Sequence, residues 1–238
     1  MQTHSTPFQS DRDDLFVQLM NIQGLDIEQL RDLQTRLAAT EGPVEAKAYH
    51  DAHISYALLT LTRGKNPKAA LALLNPILKR LEASKDPESM ALLGACIGHK
   101  LQLSPMSVML LHPKAKGLFQ KAAKLSPENP RVLVMQGANV FYTPVVFGGG
   151  AKKALPFLEA AVKAAESERP SDDPWAPRWG HVEALAFLAL AQADDNRVAD
   201  AEASLAKAIG LNPEHCLLKY IGKCVETKIK ESLPKTEV

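Results

Sequence analysis

One spacing recurs along this chain and restricts its fold more than any other feature. In the C-terminal third, Leu185-x2-Leu188-Ala189 is followed by Ala201-x3-Leu205-x2-Ala208-x4-Pro213. The second half of that pattern returns as Ala115-x3-Phe119-x2-Ala122-x4-Pro127 and as Ala154-x3-Leu158-x2-Ala161. A further copy lies near Gly64, Ala69 and Leu73, or one residue on at Ala70 and Leu74. Small residues at fixed helical offsets let two helices approach closely, and the larger apolar residues fill the gap to the next unit. The spacing therefore predicts helix–turn–helix units of about 34 residues stacked in chain order.

Helix punctuation gives the same count. Asn66-Pro67, Asp86-Pro87, Asn129-Pro130 and Asn212-Pro213 each place a capping side chain before a proline at a first helical position, where the missing N–H costs nothing. Front helices are expected at 44–62, 87–102, 130–142 and 181–194, with Gly94 and Gly137 at small-residue sites. Before them, Leu15, Phe16, Leu19 and Met20 form one stripe of a helix over 11–22, and Asp26 with Gln29 reads as a capping box for a second helix ended by Gly42-Pro43. A last helix over 214–231 has Leu217, Leu218, Ile221 and Val225 on one side, as a terminal cap requires. The expected layout is a helical pair over 1–43, four units over 44–213, and a capping helix and tail over 214–238.

Composition suits this all-α reading. The chain of 238 residues is 46% hydrophobic but only 5% aromatic, so its core is built from Ala and Leu. With 28 Lys and Arg against 27 Asp and Glu, the net charge of +1 argues against nucleic-acid binding and against an anionic-membrane protein, either of which needs a basic excess or a basic face. Cys96, Cys216 and Cys224 are too few and too scattered for a disulfide framework. No apolar run reaches the roughly 18 residues of a membrane span, and the polar opening over 1–14 lacks the zones of a secretory leader. The expectation is a soluble chain without membrane insertion, cytoplasmic by default and periplasmic if a leader has been removed.

Three insertions break the spacing: about nine residues within Leu103 to Pro113, about five within Phe141 to Gly150, and about thirteen within Ser167 to Gly180. Insertions in repeat proteins map to loops, often on a binding face.

Residues 44–213 resemble tetratricopeptide repeat proteins. Asn129-Pro130-Arg131 through Phe141-Tyr142-Thr143-Pro144, then Phe147-Gly148-Gly149-Gly150 and Lys153-Ala154-Leu155, with Trp179-Gly180 before the final unit, is similar to an uncharacterised bacterial group with a glycine-rich insert. The resemblance implies a right-handed superhelix whose front helices line a concave groove for peptides or partner proteins, and it implies no reaction. The usual aromatic near the front of each unit is mostly absent, and two units are stretched. The lysine and asparagine pattern with which some family members clamp a C-terminal carboxylate is missing too.

The repeat register points Glu88, Ala91, Ala95 and His99 into the groove, with Arg131, Val134, Ala138, Phe141 and Tyr142 from the third unit and Glu183, Ala186 and Leu190 from the fourth. Such a mixed lining suits an extended or helical peptide. Phe141 and Tyr142 read equally as packing for the insert that follows. Trp175 and Trp179 read as exposed anchors, and Trp179 alternatively as a staple at the helix entry near 181.

Other constellations carry less. Gly148, Gly149 and Gly150 before Lys152 and Lys153 resemble an anion cradle at a helix start, or else supply positive φ and close packing in a bent insert. His50 and His53 share a helix face but lack a third ligand, and His215, Cys216 and Cys224 form no metal motif, so no metal or other cofactor is expected. Ser104, Ser107 and Ser126 sit near prolines without a G-x-S-x-G element, and the pairs Asp172-Asp173 and Asp194-Asp195 read as solvated turns. The functional expectation is a non-catalytic scaffold for a protein or peptide partner. Its alternatives are a small-anion or enzymatic site built by the inserts with Lys152, Lys153 and His181, and a structural subunit of a transport assembly.

Overall fold

A computed structural model describes residues 7–103 and 108–232. Among them the regular structure is all helix, with no strand, and the helix pairs follow one another as a solenoid-like stack. The helices are α1 (Pro7–Met20), α2 (Ile27–Ala39), α3 (Val44–Arg63), α4 (Pro67–Leu81), α5 (Pro87–Leu103), α6 (Val108–Leu125), α7 (Pro130–Tyr142), α8 (Ala151–Ser167), α9 (His181–Asp194), α10 (Val198–Leu211) and α11 (Cys216–Ser232). Two short 3-10 turns, Ile22–Gly24 and Val145–Phe147, precede α2 and α8.

The starts follow from the caps. Asn66 accepts from the Ala69 N–H at 3.0 Å, Asp86 from the Ser89 N–H at 2.7 Å, and Asn129 from the Arg131 N–H at 2.9 Å. Asp26 and Gln29 exchange two bonds of 2.9 Å, which completes the capping box. Asn212-Pro213 departs from the expected pattern: Asn212 closes α10, its N–H donating to the Ala208 carbonyl, and α11 begins only at Cys216. Within the stretch Leu103 to Pro113, expected as a loop, residues 108–113 are helical, since α6 starts at Val108 and carries Pro113 within it. Ser104 and Ser107 lie outside the described residues.

Pairs α3–α4, α5–α6, α7–α8 and α9–α10 pack most closely, and the front helices α3, α5, α7 and α9 lie side by side, with α11 against α9. The small residues sit where close approach demands them. Ala115, Ala122, Ala154, Ala161, Ala201 and Ala208 are all buried. A Cβ on Gly94 would come within 2.9 Å of the Phe119 ring, and one on Gly137 within 2.6 Å of Leu158. In these two units the large member of the rear helix, Phe119 or Leu158, fills the space the front glycine leaves open. In the first unit Ala70 and Leu74 are fully buried, whereas Ala69 and Leu73 are only half-buried, which decides the register.

The two ends of the described stack meet. The turn Ile22–Gly24 touches α11, and the Asn212 side-chain amide donates to the Asn21 side-chain oxygen at 3.1 Å, across 191 residues of chain.

Candidate functional site

The inner ends of the front helices enclose a pocket of about 460 Å³. Tyr56, Thr60 and Arg63 enter it from α3, Gly98, His99 and Gln102 from α5, and Val134, Asn139 and Tyr142 from α7. Glu183 and Phe187 of α9 and Leu217 and Tyr220 of α11 complete the wall. Its surface is mainly apolar and aromatic, with Tyr142 edge-on to Phe187 at 6.3 Å. The size falls in the range of small-molecule sites.

Polar groups in the wall are ordered around one guanidinium. Arg63 donates to His99 Nδ1 at 2.9 Å and to Gln102 Oε1. Arginine can only donate, so Nδ1 accepts, and the proton on Nε2 faces the Tyr56 oxygen at 3.3 Å. Burial, reinforced by Arg63, holds the His99 pKa down at about 3. Burial raises the Tyr56 and Tyr142 hydroxyls, Tyr142 to about 12, so both are neutral donors at physiological pH. Among the described residues no carboxylate lies within ion-pairing distance of Arg63. The pocket therefore combines an apolar wall with an oriented, un-neutralised cation.

Of the residues expected in the groove, Ala95, His99, Val134, Ala138, Tyr142 and Glu183 line this pocket. Glu183 is largely committed elsewhere. Burial alone would raise its carboxyl, but hydrogen bonds from His215 and the Gly180 N–H bring it below its ordinary value. Glu88 and Arg131 are turned into the stack. Arg131 Nε donates to Glu88 at 2.7 Å, and its Nη1 donates to Glu168 at 3.0 Å and to the Trp179 carbonyl at 3.1 Å. Both residues are buried, because this network joins α5, α7 and the loop before α9. Leu190 is buried between α9 and the helices around it, and Phe141 packs against the last two units.

The tryptophans are not exposed anchors. Trp175 is buried beside Phe16, with ring centroids 5.1 Å apart, and its carbonyl meets His50 Nε2 at 2.9 Å. Trp179 donates to the Tyr49 hydroxyl at 3.1 Å, lies 4.7 Å from the His53 ring and borders the pocket. His50 and His53 thus belong to an aromatic seam in the core. Among the described residues, no group of three His, Cys, Asp or Glu side chains is placed to hold a metal ion.

The glycine amides are already engaged. Gly148 N–H donates to the Val145 carbonyl, Gly149 N–H to that of Pro144 and Gly150 N–H to that of Val140. Gly148 and Gly150 have φ of +83° and +98°, and a Cβ on Gly149 would lie 2.0 Å from the Thr143 carbonyl oxygen. These glycines serve the bend and the close approach, not an anion cradle. Lys153 borders a second cleft with Gly148 and Gly149, whereas Lys152 and His181 do not line it.

Sequence reasoning missed Tyr56, Arg63, Leu217 and Tyr220. The spacing Tyr56, Thr60, Arg63 puts all three on one face of α3 and was a usable signal once the first unit's register was fixed. Helix α11, read only as a cap, has a second face that closes the pocket.

No protein-family model matches the chain, and no curated protein sequence does. Among solved structures it is similar to the HusA haemophore from Porphyromonas gingivalis, with a TM-score of 0.62 and 22% identity. The likeness covers 81% of this chain and 96% of that one, and it shows a shared fold. No helix among the described residues is long and apolar enough to cross a membrane.

Proposed function

We propose that this chain is a non-catalytic binding protein whose pocket takes a compact apolar molecule bearing an anionic group, a tetrapyrrole such as haem being the leading candidate. The observation that carries the reading is Arg63. Its charge lies in a mainly apolar wall, oriented by His99 and Gln102, with no carboxylate within ion-pairing distance among the described residues; Glu183, which also lines the pocket, is engaged by His215 and the Gly180 N–H. A carboxylate-bearing ring would bury its apolar area against Tyr142, Phe187 and Leu217 and pair its acid with the guanidinium. The neighbour of the same fold is a haemophore, which supports this ligand class. The contact between the turn Ile22–Gly24 and α11 also favours a compact ligand over an extended peptide running along the front helices.

Haemin titration followed by absorbance tests the reading. The expected result is a saturable band shift at one equivalent, weakened about 10- to 100-fold in Arg63→Ala, the range for losing a charge-assisted hydrogen bond. No saturable shift, or equal affinity in the variant, would overturn it.

A further inference from the structure

The side chains left facing water include three consecutive apolar ones. Val145, Val146 and Phe147 are 78%, 85% and 54% exposed. Their turn is fixed at both ends, by the hydrogen bonds of the Phe147, Gly148, Gly149 and Gly150 amides and by the approach of Gly149 to Thr143. The apolar tip is therefore a built projection. On α6, Leu110 is 80% exposed, two residues before His112, whose ring lies 6.0 Å from that of Phe147.

The Lys and carboxylate side chains bordering the cleft behind this tip are all of one sign. The cleft behind Phe147, about 260 Å³ between α6, α7 and α8, is bordered by Lys116 and Lys153. Neither has a carboxylate within ion-pairing distance among the described residues. Along the sequence between Leu110 and Lys153 the sole acid is Glu128, set against Lys116, Lys121, Lys124, Lys152 and Lys153, and Lys114, which pairs with Glu82 at 2.8 Å. The chain's net charge of +1 conceals this basic stretch of sequence.

An apolar tip bordered by unpaired lysines matches an anionic bilayer surface, which offers hydrocarbon to the one and phosphates to the other. We infer that the Val145–Phe147 turn docks the protein peripherally on an anionic lipid surface, its apolar side chains entering the interface while Lys116 and Lys153 meet lipid phosphates. One short tip gives modest, reversible attachment, so both the apolar and the cationic contributions are required.

Flotation with lipid vesicles tests this independently of the pocket. The full chain is expected to float with phosphatidylcholine vesicles holding roughly 30% phosphatidylglycerol, but not with phosphatidylcholine alone, and to be released as salt screens the lysines. Val146→Asp with Phe147→Asp should lower partitioning at least about tenfold. Lys116→Gln and Lys153→Gln should lower it about fivefold each. An unchanged circular-dichroism melt shows that each variant is folded. Failure to float with the anionic vesicles, equal flotation with neutral ones, or undiminished flotation of a folded tip variant would overturn the inference.

Discussion

The insertions after α7 and α8 both carry aromatic side chains, yet Phe147 of the first faces water whereas Trp175 and Trp179 of the second, an insert otherwise largely exposed, turn inward. Over 143–150 the backbone hydrogen bonds close on the insert and on the end of α7, and Val145, Val146 and Phe147 are left outside. Over 168–180 the chain reaches other elements: Trp175 lies on Gly42 and Phe16, Trp179 bonds Tyr49, and Arg131 holds the Trp179 carbonyl. An insert turns inward only where distant segments supply a surface and partners for its polar atoms. An aromatic side chain does not by itself determine the direction.

The largest expected effect comes from cutting the inward insert loose. Arg131→Ala removes the cation that offsets buried Glu88 and frees the Trp179 carbonyl, so unfolding in urea should show a loss of about 3–5 kcal/mol. A loss below about 1 kcal/mol, the level of a surface ion pair, would mean that the network does not hold the loop.

Acid should act next, through the histidines under the same insert. Burial, with a contribution from His50, lowers the His53 pKa to about 3, and burial also lowers that of His50. The unfolded chain therefore binds protons first as pH falls. The stability from neutral His53 is complete above its ordinary value near 6.5 and is lost progressively from there down to about 3. Between pH 7 and pH 5 this amounts to about 2 kcal/mol for His53, seen as a lower urea midpoint. Equal midpoints at the two pH values would contradict the buried, neutral seam. The outward turn should be the least sensitive: Val146→Asp, at a side chain 85% exposed, should change stability by less than about 0.5 kcal/mol. A larger loss would mean that the tip packs against something.

The repeating frame was legible in the sequence because its cause is local. Ala201, Ala208, Gly94 and Gly137 occur at intervals set by helix geometry, and the Asn-Pro and Asp-Pro caps act within a single turn. Asn212-Pro213 misled because the same dipeptide can end one helix as well as start the next. The site was half legible. His99 and Tyr142 follow from the register, whereas Arg131 and Glu88 occupy inward positions yet pair with each other, which no spacing reveals. Tyr220 reaches the pocket because α11 packs on α9 and meets the turn before α2, a contact between chain ends.

Hydrogen exchange, with and without protoporphyrin, tests the pocket most directly. Binding there should slow exchange in residues 95–102, 134–142 and 216–220, which supply three of its walls, and leave the apolar turn over 145–150 unchanged. Protection confined to that turn and α6, or none at saturating ligand, would contradict the account.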